Sequence, residues 1–155
     1  ILREVEAAAE MLAEFGVGAD VYSATSFNEL RRDGQSVARY NLLHPEKKTA
    51  RISHVEAMLS GSDAPVVAAT DHMQLYSEQI RPFLGKTTYV TLGTDGFGRS
   101  DSRKKLREHF EVDRRFITVA ALRAFSMDGK IDPKIVSKAI KDFGIDPDRL
   151  DPVTL

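Results

Sequence analysis

A β-rich run that leads directly into a glycine-rich loop constrains the fold of this chain most. Thr87 to Leu92 is predicted to be a strand, glycines follow at positions 93, 96 and 98, and a helix is predicted over 102–110. In an open α/β sheet the strand holds such a loop rigid, and the glycines let its backbone approach another surface closely. The spacing G-x-x-G-x-G is neither the dinucleotide fingerprint nor a P-loop. We therefore expect a tight turn that packs on another protein surface.

The charged residues of the loop favour the same interpretation. Asp95 would place a carboxylate where a phosphate needs donors, and Asp101 is predicted to be the N-cap of the following helix. Arg99 and Arg103 are suited to pairing with carboxylates across a contact. The alternative is a regulatory module that binds a small anion or a nucleotide at Gly93 to Arg103. The predicted domain-interface residues are Asp95, Phe97, Arg99, Asp101 and Arg103.

Helical and β-rich segments alternate along the rest of the chain. Apolar spacing predicts further strands over 19–26 and 65–70. It also predicts helices over 1–15, 27–32, 36–43, 52–59 and 75–83, and helices that begin at Asp113 and at Asp132-Pro133. Asp33-Gly34 is predicted to separate the second and third of these helices, and Pro82 to distort the fifth. The fold class is therefore α/β, a single domain over 1–155 with a mainly parallel sheet and a tail over 145–155.

The first predicted helix lacks the features that usually begin one. No Ser, Thr, Asp or Asn stands before Ile1, and no strand precedes this helix although strands and helices alternate further along. We therefore expect the chain to be the trailing part of a longer polypeptide whose first strand is missing here.

Composition excludes several classes of partner. A net charge of −1 over 155 residues gives no general attraction to nucleic acid or to anionic lipid. The absence of cysteine excludes disulfides and thiolate metal sites, and it suits a reducing cytoplasm. No apolar run approaches the roughly 18 residues that a membrane-spanning helix needs. We predict a cytoplasmic protein that contacts neither nucleic acid nor membrane.

Few side chains suggest chemistry of their own. The four histidines have no metal-ligand spacing, and no G-x-S-x-G elbow is present. His72, beside Asp71 at a predicted strand end, is the one histidine placed where α/β enzymes keep catalytic groups, and we expect it to hydrogen-bond a loop instead. The basic run Arg103 to Arg107 is predicted to be a solvated helix face, with an acidic partner as the alternative.

Several phrases of the sequence resemble a known family. They include Gly-Ala-Asp-Val-Tyr-Ser at 18–23, Gly-Thr-Asp-Gly-Phe-Gly-Arg-Ser-Asp-Ser-Arg at 93–103 and His-Phe-Glu-Val-Asp at 109–113. Across nearly the whole chain the sequence resembles the C-terminal domain of the homodimeric bacterial pyruvate dehydrogenases, a branch of the transketolase-like family. The resemblance implies a largely parallel sheet of about five strands, one of them antiparallel, flanked by helices.

The resemblance also implies a function for the complete enzyme. Such enzymes bind thiamine diphosphate and magnesium between two other domains of paired subunits, decarboxylate pyruvate, and pass the acetyl group to a lipoyl arm of the dihydrolipoyl acetyltransferase core. The family's G-D-G and Asn-Asn motifs are missing, since the nearest phrase is Thr94-Asp95-Gly96 and the only asparagines are Asn28 and Asn41. No catalytic, cofactor or metal residue is therefore carried over to this chain. We expect it to be inactive alone and to support the neighbouring domain and the dimer, with Lys104 and Lys105 as a possible contact to the acetyltransferase.

Overall fold

A two-stranded parallel sheet lies between two groups of helices. The computed structural model describes residues 1–154. In chain order the elements are α1 Leu2–Ala13, α2 Phe27–Leu43, α3 His54–Leu59, β1 Val66–Ala69, α4 Leu75–Glu78, β2 Tyr89–Leu92, α5 Arg103–His109, α6 Arg114–Met127 and α7 Pro133–Asp142, with single 3₁₀ turns at Arg81–Phe83 and Pro152–Thr154.

The two strands bring two loops to one edge of the sheet. β1 and β2 pair in parallel, with Val66 opposite Tyr89 and Ala69 opposite Leu92. Because the strands run in the same direction, the segments that follow them, 70–74 and 93–98, leave the sheet side by side. The glycine loop therefore lies at the carboxyl edge of the sheet, where the sequence predicted it.

Alternate strand residues face the two halves of the core. Val67 packs against the cluster formed by α1, α6 and α7, whose centre includes the fully buried Leu122. Val66 and Ala68 pack against the cluster on the other side, which includes the buried Leu84. This alternation is the ordinary consequence of the strand's two-residue period. The predicted α/β class is confirmed.

Two of the predicted helix starts are confirmed by their caps. The Asp113 carboxylate accepts hydrogen bonds from the backbone N–H groups of Arg115 and Phe116 at the start of α6. Asp132 accepts from the N–H of Lys134, and Pro133 takes the first position of α7. These contacts satisfy backbone donors that have no partner within a helix.

The strand predicted over 19–26 is wrong. This segment has no regular secondary structure, and Tyr22 is 53 % exposed within it. A strand forms only where a neighbouring strand takes up its backbone hydrogen bonds, and β1 and β2 pair only with each other among residues 1–154. The sheet of the described residues is thus smaller than the roughly five strands that the resemblance implied.

The break predicted at Asp33-Gly34 is also wrong. α2 runs without interruption from Phe27 to Leu43, and Gly34 is buried in it. A Cβ atom built on Gly34 would lie 2.6 Å from the ring of Phe83. The glycine therefore serves a close contact between the helix and an aromatic ring, which a helix can accommodate at a cost of about 1 kcal/mol. At Pro82 the predicted distortion is confirmed, because α4 stops at Glu78 and a 3₁₀ turn follows.

The segment predicted as a tail folds back onto α5 and α6. The Arg149 guanidinium donates hydrogen bonds to the carbonyl oxygens of Glu108 and His109 and lies 3.2 Å from the carboxylate of Glu111. Pro152 is buried. Residue 155, the end of the predicted tail, lies outside the described residues. Among the helices of residues 1–154, none has the length and apolar character that crossing a membrane requires.

Candidate functional site

The glycine loop is first of all seated on the segment that follows β1. A Cβ atom on Gly93 would lie 2.5 Å from the backbone nitrogen of Gln74 and 2.7 Å from the carbonyl oxygen of His72, so only glycine fits there. Beside it, the N–H of Thr94 donates to the carbonyl oxygen of His72, and the Thr94 hydroxyl donates to the carbonyl oxygen of Asp71. Both hydrogen bonds are 2.9 Å long. The close approach expected from the glycines is thus made within the chain.

Asp95 belongs to the same internal contact. Its Oδ2 atom accepts a hydrogen bond of 2.9 Å from the N–H of Gln74, and the residue is half-buried. Its carboxylate therefore joins the two loops at the carboxyl edge of the sheet. The negative charge that argued against an anion at this loop is partnered by a backbone donor.

The N-cap predicted at Asp101 is wrong by one residue. Ser102 caps α5, because its backbone is extended and its hydroxyl accepts from the N–H of Lys105. The Asp101 carboxylate accepts from the N–H of Ser102 and so orders the residue that does the capping. Both short polar side chains suit the position, which is why sequence alone did not separate them.

The end of the chain closes the other side of the loop. Gly96 has φ +108°, which disfavours any residue with a side chain, and a Cβ atom there would lie 2.6 Å from the carbonyl oxygen of Pro152. Gly98, by contrast, has open space around it. The loop is therefore held at Gly93 and at Gly96 and is open to solvent beyond them.

Apolar side chains on these three segments remain exposed. Phe97 is 76 % exposed, and the other exposed apolar residues of the joined segments are Met73, Leu75, Tyr76 and Val153. We call these five residues the loop-edge patch. Gly93 sets its loop against Gln74, and Gly96 lies against Val153, so the segments carrying the patch are in direct contact. Exposed apolar clusters mark surfaces that contact another protein, a membrane or a ligand.

Beside the patch, arginines surround an open cleft. The cleft has a volume of about 340 Å³, and its walls include Arg99, Arg103 and Arg107. Leu106 and Phe110 supply apolar wall, because α5 turns them to the same side. The predicted interface residues Arg99 and Arg103 are thus brought together, while Lys104 and Lys105 of the same basic run are exposed and do not line the cleft.

Two carboxylates partner Arg107 but leave its charge incompletely bonded. The Arg107 guanidinium lies 3.5 Å from Glu4 and 3.5 Å from Asp71. Glu4 is more tightly held by Arg114, whose Nε atom is 2.9 Å away. The side-chain hydrogen bond from Arg114 is the main reason that the pKa of Glu4 lies below its ordinary value, against the opposing effect of burial. Within residues 1–154 the buried Nε atom of Arg107 has no hydrogen-bond partner.

Two histidines, His72 and His109, lie near the candidate site. The backbone N–H of His72 donates to Thr70 Oγ1 and its carbonyl oxygen accepts from Thr94 N, while its ring lies 5.3 Å from that of Tyr76; the side-chain hydrogen bond to a loop stays a prediction. His109 was not singled out from the sequence. Burial, followed by the charges of Arg99 and Arg149, lowers the pKa of His109. The spacing of Arg103 and Arg107 by four residues was the sequence feature that could indicate this basic region, because residues four apart are neighbours on a helix surface.

The described residues do not fit a magnesium site. Across residues 1–154 no three His, Asp or Glu side chains come together as metal ligands. Asp95, the acidic residue of the phrase nearest to the family motif, is bonded to Gln74.

Comparison with known proteins places this chain in a family and identifies similar proteins. The family described as the transketolase-like TK C-terminal domain matches residues 1–113. The chain belongs to this family. It is 56 % identical over 154 residues to the pyruvate dehydrogenase E1 component of Pseudomonas aeruginosa, covering 99 % of this chain and 17 % of that protein. The E1 components of Escherichia coli strain K12 and Haemophilus influenzae are 52 % and 50 % identical, over 98 % and 99 % of this chain and 17 % of each protein. The chain thus spans about a sixth of the length of these relatives.

Proposed function

We propose that this chain is the C-terminal, non-catalytic domain of a thiamine diphosphate- and magnesium-dependent pyruvate dehydrogenase. The whole enzyme decarboxylates pyruvate and transfers the acetyl group to lipoyl groups of dihydrolipoyl acetyltransferase, as one step between glycolysis and further pyruvate metabolism. The identity of 56 % across nearly the whole chain to a pyruvate dehydrogenase E1 component supports this assignment. The absence of cysteine suits the cytoplasm that we propose as its location.

The role of this domain is to pack against the rest of its own polypeptide, and thereby to support the homodimer. One observation carries this proposal: the loop-edge patch leaves Phe97 76 % exposed on a loop whose backbone is fixed at Gly93 and Gly96. A rigid, exposed aromatic ring is an effective anchor, because burying it costs little conformational freedom. The relatives hold about five sixths of their length outside the matched region, which supplies the covering surface.

The predicted interface residues divide into two groups under this proposal. Phe97, Arg99 and Arg103 contact the neighbouring domain, because all three are exposed and Arg99 and Arg103 line the cleft next to the loop that carries Phe97. Asp95 and Asp101 shape the loop from within, through their hydrogen bonds to Gln74 and Ser102. The first group is therefore the one in which a substitution affects packing between domains directly.

Site-specific photo-crosslinking in the intact protein tests the docking surface. A benzophenone amino acid at position 97 is expected to crosslink to an upstream segment of the same polypeptide, identified by mass spectrometry of the digested product. Leu42 is the matched control, since it is an equally exposed apolar residue, 77 % exposed, on a different element, α2. Equal yields from positions 97 and 42 would refute the docking. Crosslinks only between two subunits would replace it with a direct dimer contact.

The non-catalytic role has its own test. Asp95→Asn keeps an oxygen that accepts from Gln74 but removes the negative charge that strengthens the binding of a divalent cation. We expect the intact variant to bind thiamine diphosphate and magnesium as tightly as the unaltered enzyme, measured by isothermal titration calorimetry. Loss of binding would show that Thr94-Asp95-Gly96 holds the metal after all, and would overturn the assignment of roles.

A further inference from the structure

The cleft beside the loop-edge patch has the features of an anion site. Its walls include three guanidinium groups, those of Arg99, Arg103 and Arg107, and one carboxylate, that of Asp71. The Asp71 carboxylate lies 3.0 Å from the N-terminal ammonium group of Ile1 and 3.5 Å from Arg107, so its charge is partnered by two cations. Within residues 1–154, neither Arg99 nor Arg103 forms an ion pair with a carboxylate. Two cations at the cleft are therefore left for an outside partner.

The loop also offers backbone donors at the same place. The N–H groups of Gly96 and Gly98 donate to no atom of residues 1–154, and both glycines line the cleft. Gly98 has no side chain to cover its peptide and no neighbour within 4 Å of a Cβ position. Guanidinium groups and free backbone N–H groups are the donors that carboxylates and phosphates bind most strongly.

Two acidic side chains that could oppose an anion are already engaged. Asp95 accepts from Gln74, and Asp101 accepts from Ser102. Neither carboxylate is among the residues that line the cleft. From the sequence, the Asp95 carboxylate argued against an anion at the glycine loop. In the structure this carboxylate bonds Gln74 outside the cleft, so it does not oppose an anion there.

We infer that this cleft binds an oxyanion, a carboxylate or a phosphate group, held by Arg99 and Arg103 with the glycine-loop backbone. Leu106 and Phe110 offer an apolar wall for the carbon atoms next to the charged group. A volume of about 340 Å³ suits a small organic acid or a single acidic side chain. The anion is either a free small molecule or a carboxylate of the surrounding protein, and the second source rests on the proposed docking of this domain.

Hydrogen exchange in the intact protein, with and without inorganic phosphate, tests the inference and separates the two sources. For a free anion, phosphate slows exchange of peptides within 94–107, and Arg99→Gln/Arg103→Gln shifts this effect to higher phosphate concentrations. Apparent phosphate affinity then falls about tenfold or more, the minimum expected for losing a charged hydrogen bond. Lys104→Gln/Lys105→Gln is the matched control, because it removes the same charge from α5 outside the cleft.

For a protein carboxylate the pattern differs. Phosphate leaves the unaltered protein unchanged, while Arg99→Gln/Arg103→Gln speeds exchange within 94–107 by about tenfold or more and the lysine variant does not. Arg99→Lys/Arg103→Lys keeps the charges without the paired donors and gives an intermediate result in either case. If phosphate has no effect and both glutamine variants behave alike, the cleft binds no oxyanion. Crosslinking at position 97 is independent of that result, so the docking proposal stands or falls separately.

Discussion

Replacing Gly93 by alanine should loosen the contact between the two loops at the carboxyl edge of the sheet. The new methyl group would lie 2.5 Å from the backbone nitrogen of Gln74 and 2.7 Å from the carbonyl oxygen of His72. Gly93 does not have a positive φ, so lack of space is the whole cost. Backbone atoms cannot turn aside as a flexible side chain can, and overpacking of this kind costs about 1–3 kcal/mol.

Hydrogen exchange of the intact protein measures this cost locally. The affected amides are those of Gln74, bonded to Asp95, and of Thr94, bonded to His72. A local loss of about 1–3 kcal/mol corresponds to roughly 5- to 150-fold faster exchange through local opening.

Gly98→Ala provides the control for this measurement. It is the same change in the same loop, at a position with ordinary φ and no neighbour within 4 Å. It should change exchange little, within the roughly 0.5 kcal/mol typical of surface substitutions. If the variants at 93 and 98 exchange alike, the close packing at Gly93 does not hold the loop.

Three further predictions concern stability, measured as denaturant unfolding midpoints of the intact protein. Arg114 lowers the pKa of Glu4 below its ordinary value of 4.5. The stabilisation of the folded protein by this carboxylate is therefore complete above about pH 4.5 and is lost as the pH falls through the lower folded-state pKa. Glu4→Gln should make the unfolding midpoint depend less on pH in this range. Gly34→Ala should destabilise by up to about 2 kcal/mol, because the methyl group would lie 2.6 Å from the Phe83 ring and overpacking of about 1–3 kcal/mol outweighs the roughly 1 kcal/mol of helix propensity gained. Asp113→Ala should cost about 0.5–2 kcal/mol through loss of the α6 cap.

Each of these predictions has a matched comparison. Glu6→Gln changes an exposed carboxylate on the same helix and should leave the acid limb of the profile unchanged. Gly18→Ala, with open space around it, should be neutral or slightly stabilising. Asp113→Asn should retain most of the cap energy, since asparagine accepts the same hydrogen bonds. Equal effects of the test and comparison variants would contradict the respective contact.

Local signals in the sequence predicted the elements whose causes are local. Asp113 and Asp132 predict the starts of α6 and α7, because an N-cap side chain bonds backbone groups within three residues of itself. The apolar run before the glycine loop predicts β2 for the same reason. The strand predicted over 19–26 fails because pairing needs a neighbour that local composition does not report. The helix break predicted at Gly34 is wrong because the residue that requires a glycine there, Phe83, is 49 positions further along the chain.

The candidate site could be predicted in part. The sequence located the loop, its exposed Phe97 and the pair Arg99 and Arg103, since glycine spacing and charge are visible in the letters. It did not show that Asp95 turns to Gln74, because that bond joins two loops 21 positions apart. Nor did it show that the tail closes the loop at Gly96, since this depends on how the end of the chain is routed. Which surface these residues meet stays a prediction.

The four-residue strands have a consequence for how the molecule opens. A parallel ladder of two short strands is too small to persist unaided in water. β1 and β2 are joined because helices on both faces hold Val67 on one side and Val66 and Ala68 on the other. Pairing of β1 with β2 therefore depends on the helices beside them, so loosening α6, which contacts both strands, would weaken the ladder and with it the support of the glycine loop.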